Sequence, residues 1–242
     1  MAILNPQESI EEMIETSPEV NQEATSKKLQ LIIGILAFTF PLILIIGAKL
    51  LGSCDLVQTS ISAYYHTIMN DFFVGGLCAL GMGMIAYDRY QRIDYQVTNW
   101  IGVFTFGVAF FPTNVNHSIT SCVITSVTNP IHNAIHYICA SIVFILLGWM
   151  SLKLFVRTGD GIKPIEKSKI IRNKIYTVCG WVIFACIFSM LIYSIFVDRD
   201  TLTVDSPKVI FWLEYLALAT FGVSWMVKSG LILTNDVLEK VE

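Results

Sequence analysis

LQLIIGILAFTFPLILIIGA, the stretch from Leu29 to Ala48, carries no charged side chain and lies between Lys27 and Lys28 on one side and Lys49 on the other. A helix needs about 20 consecutive, mostly apolar residues to cross the hydrocarbon core of a bilayer. This stretch meets that length, so it reads as a spanning helix. Five further apolar blocks follow it: Phe72–Tyr87 (extended to Asn70 and Asp71 at the interface), Val97–Pro112 beside Trp100, Ile131–Leu152, Tyr176–Val197 and Val209–Val227, the last with Glu214 inside it. The expected fold is an all-α, six-transmembrane-helix bundle over 29–232. An acidic tail, 1–28, precedes it and a short tail, 233–242, follows.

Composition agrees. Of 242 residues, 54% are hydrophobic and 14% charged, against about 25% charged in soluble domains. Mean hydropathy is +0.63. These values exclude an ordinary soluble domain and a disordered chain. A net charge of −3 lacks the basic footprint of a nucleic-acid binder. The tail carries Glu8, Glu11, Glu12, Glu15, Glu19 and Glu23. It lacks the basic start and apolar centre of a secretory signal, so it reads as a solvated tail.

Short connections rich in Lys and Arg stay in the cytosol. The second connection holds Arg89 and Arg92. The fourth holds Lys153, Arg157, Lys163, Lys167, Lys169, Arg172 and Lys174. The third, Thr113 to Pro130, has neither residue type, and the first has none between Lys49 and Asp71. The even connections and both termini are therefore expected on the cytosolic side.

That orientation gathers the ionisable groups. His66, His117, His132 and His136, the only histidines in the chain, all fall on the non-cytosolic side. Asn129 and Pro130 read as the N-cap and first residue of the fourth span. His136 and Glu214 each then lie about 9 Å into their spans. Asp71 marks the end of the second span on the same side. Ionisable groups within spans are costly and commonly functional.

His132 and His136, four residues apart, share a helix face. Such a pair is a two-point metal ligand. With His66 it supplies the three imidazoles of a catalytic zinc site that keeps one position open. Zinc would lower the pKa of bound water and polarise a carbonyl. In that scheme Asp71 is the base or orients the water, and Glu214 is the alternative base. His117 is a fourth ligand or general acid. Ser62 orients the His66 ring or the bound water if its segment is helical.

The Ser62-x-x-x-His66, Asp71 and His132-x-x-x-His136 elements resemble the CREST superfamily of membrane hydrolases, which includes alkaline ceramidases and the progestin and adipoQ receptors. The resemblance covers five positions. It implies zinc held within a helical bundle and hydrolysis of a lipid amide or ester. A second resemblance, to an uncharacterised bacterial multi-pass membrane family, rests on Ser60–His66 (SISAYYH), Phe73–Gly75, Phe111–Thr113 and Phe221–Trp225. It implies no activity.

Six cysteines are present. Cys78, Cys139 and Cys186 lie in spans, with Cys179 near the cytosolic end of the fifth. Cys54 and Cys122 lie in the first and third connections, where an oxidising compartment permits a bridge. Tyr64, Tyr65, Trp100, Trp181, Trp212 and Tyr215 read as interfacial aromatics. Gly75, Gly76, Gly81 and Gly83 read as a small face for helix packing.

The function expected from these residues is zinc-dependent hydrolysis of a membrane lipid at the non-cytosolic leaflet. The host is a bacterial inner membrane or a eukaryotic endomembrane. Against it stand a transporter or receptor using Asp71 and Glu214, a single-haem redox protein, and a structural protein. The partner is the lipid bilayer and not nucleic acid.

Overall fold

The computed structural model describes residues 18–87, 92–115, 120–126, 128–157, 167–198 and 202–233. The regular elements there are all helical: α1 (Pro18–Gly52), α2 (Asn70–Ala86), α3 (Arg92–Phe110), α4 (Pro130–Trp149), α5 (Lys167–Phe196) and α6 (Val209–Ser229). A 3-10 turn, Ser62–His66, interrupts the α1–α2 connection. A π turn, Met150–Leu154, ends α4, where the Phe155 N–H donates to the Met150 carbonyl at 3.1 Å. By length and composition, α1, α4, α5 and α6 are each able to cross a membrane, and α2 is a shorter apolar helix. Large apolar side chains stand on their outer surfaces, Trp181, Phe188 and Phe196 on α5 being 64%, 63% and 80% exposed. Water would penalise so much apolar surface and hydrocarbon does not. The chain is an integral membrane protein.

Two helices begin earlier than their apolar blocks. α1 starts at Pro18 and runs 35 residues, about 52 Å at the standard rise. α5 starts at Lys167, ahead of Tyr176. Hydropathy locates the part of a helix that hydrocarbon covers, and the backbone can stay helical beyond it.

Each helix packs on its neighbours in sequence, and α1 packs on α6, so the six close a ring. Glycines set the closest approaches. A Cβ on Gly222 of α6 would stand 2.6 Å from the Gly34 carbonyl oxygen of α1. One on Gly102 of α3 would stand 2.7 Å from the Gly81 oxygen of α2. Gly148 of α4 and Gly180 of α5 form a third such pair, 3.1 Å by the same measure. Without hydrophobic drive between helices in lipid, this close backbone packing is a main source of association. Of the small face expected on α2, Gly76 meets Phe40, Gly81 meets α3 and Gly83 meets Ile33, whereas Gly75 faces open space.

The two ends of the ring are closed differently. At one end, Trp225 of α6 is fully buried and takes edge-on contacts from Tyr87, Phe155 and Phe221. The Gln30 amide donates to the Tyr87 hydroxyl at 2.6 Å, and Arg157 pairs with the buried Asp94 at 3.3 Å. At the other end, the α1–α2 and α3–α4 connections lie together as a lid. Cys54 and Cys122 are joined by a disulfide across it. Gln58 is fully buried. Its amide donates to Ser121 Oγ at 3.0 Å, and its oxygen accepts from the Ser121 N–H at 3.2 Å. Tyr64 is also buried in the lid against Phe211, not at an interface. Burial pushes its phenol up to about 12.

A candidate functional site beneath the lid

Beneath the lid, a small cavity inside the ring is lined by Ser62, Thr105, His136 and Glu214, with Phe73 and Phe144 among the apolar walls. The elements position these groups locally. Asn129 caps α4, its Oδ1 accepting from the Ile131 and His132 N–H groups at 2.9 and 3.3 Å, which is the helix start expected from Asn129-Pro130. That start sends His136 inward. Its Nδ1–H donates to the Phe111 carbonyl at 2.7 Å. Glu214 lies in the second turn of α6, and its Oε2 accepts the Ile61 N–H at 2.6 Å. The Phe211 N–H donates to the Thr59 carbonyl at 3.1 Å. These two bonds fasten the lid to α6.

The cavity adjoins a larger cleft of about 560 Å3, and Ser62, Ala140, Phe144 and Glu214 line both. The cleft runs between the middle of α4 (Tyr137 to Ile145) and the lid-end half of α5 (Ile187 to Ser194), under the α5–α6 connection. Its size falls within the few hundred to about 1,000 Å3 usual for small-molecule sites. α4 and α5 meet tightly at Gly148 and Gly180, towards the opposite end. Their walls are mostly apolar at the cleft, and its mouth carries Thr203, Ser206 and Lys208.

The residues singled out from the sequence are distributed unevenly. His136, Glu214 and Ser62 come together at the cavity. Ser62 Oγ stands 3.1 Å from Ser60 Oγ and is not among the partners of His66. His66 is buried with both ring nitrogens aimed at backbone carbonyls, Nε2 at Thr113 (2.7 Å) and Nδ1 at Thr125 (3.0 Å). Its own carbonyl accepts the Ile124 N–H at 2.8 Å. His66 therefore stitches the two halves of the lid. His132 is half-buried, edge-on to Phe111, with Nδ1 buried and unpaired. Asp71 is exposed in the first turn of α2. His117 lies outside the described residues, as do the first 17 residues of the tail and residues 234–242. Among the described residues, no three His, Cys, Asp or Glu side chains are grouped so as to hold a metal ion. With both His66 nitrogens aimed at backbone carbonyls, the expected zinc triad lacks a free third imidazole in this arrangement.

No family, characterised protein or solved structure matches this chain.

Sequence reasoning missed three groups. Gln58 and Asn114 carry the polar stitching of the lid, the Asn114 Oδ1 accepting the Asn129 N–H at 2.8 Å. Lys208 stands at the cleft mouth, half-buried. A buried Gln in a connection leaves no periodic trace, so no sequence signal marked it. Lys208 is the one Lys or Arg next to the start of the last span, but with Asp198, Asp200 and Asp205 in the same connection its charge has no distinguishing pattern.

Proposed function

We propose that this protein admits an amphipathic lipid sideways from the bilayer and holds its polar part at Ser62, His136 and Glu214. The observation that carries this reading is that the mostly apolar cleft adjoins an inner cavity beneath the lid, itself mostly apolar, to which Ser62, His136 and Glu214 contribute polar groups. The lid is cross-linked by a disulfide and by hydrogen bonds from Gln58 and His66. On this reading the ligand enters between α4 and α5 and not through the lid. A site of this form suits a ligand already dissolved in lipid.

The reading includes six crossings of the membrane, with the lid on the non-cytosolic side and the second and fourth connections in the cytosol. Two observations support that orientation independently. One is the Lys and Arg content of those connections. The other is the Cys54–Cys122 disulfide, a bond that persists in oxidising compartments.

A hydrolytic role at the same site is a second reading. It is favoured by one observation, that a serine, a histidine and a glutamate line one cavity, residue types that serve acyl transfer. Elemental analysis of untagged protein tests its zinc-dependent form. About one zinc per chain, lost in His132→Ala/His136→Ala, is the result that form requires, and no zinc in gently purified protein refutes it.

The binding reading is tested by filling the cleft. Ala140→Phe places a ring where cleft and cavity join. Lipid that co-purifies with the wild-type protein, counted by native mass spectrometry, is expected to be absent from this variant. Undiminished lipid in a folded Ala140→Phe protein would refute lateral binding.

A further inference from the structure

The cleft mouth is chemically distinct from its walls. Lys208 is the residue before the first turn of α6, where it makes no side-chain cap. Its Nζ donates to the Val204 carbonyl at 2.5 Å, a neutral partner. Among the described residues no carboxylate lies within ion-pairing distance of it. Burial lowers the affinity of its amine for a proton, and Asp205 partly offsets this at longer range. A half-buried ammonium of this kind is under-compensated, and an anion in contact would restore the balance. The Thr203 and Ser206 hydroxyls line the same mouth. So do Val209 and Ile210, whose N–H groups open α6 and have no acceptor among the described residues. The first N–H groups of a helix favour an anion. Beyond this cluster the walls are apolar, with Phe144, Ile145, Ile187 and Leu191. Glu214 lies six residues further along α6, about 9 Å deeper.

We infer that the occupant of the cleft is a glycerophospholipid of the surrounding leaflet, its phosphate held at the mouth by Lys208 and its acyl chain laid along the wall between α4 and α5. This deepens the proposed lipid site and rests on it. Several converging donors at one end suit a phosphate, which offers several acceptor oxygens. An acyl chain suits the apolar wall, and the mouth lies at the end of two spanning helices, where headgroups are found.

The experiment uses the full-length protein in detergent, equilibrated separately with dioleoylphosphatidylglycerol and with dioleoylglycerol, which has the same chains and no phosphate. Bound lipid is counted by native mass spectrometry for the wild type, Lys208→Ala, Lys208→Arg and Ala140→Phe. Each variant is first checked for a wild-type melting profile, with Ser141→Phe replacing Ala140→Phe if that variant does not fold. The wild type is expected to prefer the phospholipid by about tenfold, the worth of one charge-assisted contact. Lys208→Ala should reduce the ratio to near one, and Lys208→Arg should keep it. Lys208→Ala with an unchanged preference would overturn the phosphate assignment. So would a wild type that binds both lipids equally. In either case, loss of both lipids in the cleft-filling variant would leave the lipid site standing. Retention of both lipids in that variant would overturn the site itself and the assignment with it.

Discussion

Replacing Glu214 separates two roles that its carboxylate combines. The Oε2 atom is the acceptor for the Ile61 N–H at 2.6 Å, and Ile61 is 7% exposed. Glu214→Leu removes the acceptor and leaves that N–H buried without a partner. An orphaned buried donor costs about 1–3 kcal/mol. Glu214→Gln keeps a carbonyl oxygen at the same reach, so the Ile61 N–H keeps an acceptor and only the strength of one hydrogen bond changes. Its cost is then about 1 kcal/mol. Each kcal/mol moves the midpoint of a chain this size by about 2–4 °C. The thermal midpoint followed by tryptophan fluorescence should therefore fall by about 2–12 °C for Leu and about 2–4 °C for Gln. Amide exchange should quicken across Ile61–His66 in the Leu variant and hardly at all in the Gln variant, since only Leu removes one of the two bonds that fasten the lid to α6. Equal losses in the two variants would refute the acceptor argument and make charge the decisive property. No loss in either would show that the Phe211–Thr59 bond alone holds the lid.

Other outcomes follow from the packing and the lid. Gly222→Ala places a Cβ 2.6 Å from the Gly34 carbonyl oxygen, which only separation of α1 and α6 relieves. Despite the better helix propensity of Ala, a net loss of about 1–2 kcal/mol is expected. Gly75→Ala meets nothing within 4 Å and should gain up to about 1 kcal/mol, so the two variants should move the melting temperature in opposite directions. Cys54→Ser/Cys122→Ser releases a bond of sequence separation 68. The chain-entropy treatment gives about 4 kcal/mol for such a loop, an upper bound here because α2 and α3 remain helical within it. Hydrogen exchange should quicken at 58–66 and 120–125 and stay unchanged at 29–48.

The helices were legible because bilayer thickness fixes how long an apolar block must be, and Leu29–Ala48 meets that length. The start of α4 was legible because Asn129 and Pro130 carry their roles in their own side-chain chemistry. The Cys54–Cys122 pair followed from placing two cysteines on one side of the membrane. What escaped was whatever depends on partners distant in sequence. The sequence marks His66 as a titratable group near Ser62, but its partners are the carbonyls of Thr113 and Thr125, and a carbonyl is the same in every residue. The 3-10 turn at Ser62–His66 changes the angular step between residues, so the four-residue spacing that suggested a Ser62–His66 pair does not bring them together. The cleft escaped for a related reason. Gly148 and Gly180 fix where α4 and α5 touch, and only that contact point says where they stand apart.

The disulfide gives the chain a covalent loop that includes the whole of α2 and α3. A protease that cuts once anywhere between Asp55 and Ser121 opens the backbone without dividing the molecule. The nicked protein would migrate as one piece until a reductant is added and as two afterwards. The same loop sets an order in folding, since the bond cannot close until the hairpin of α2 and α3 has brought Cys54 and Cys122 to one end of the bundle.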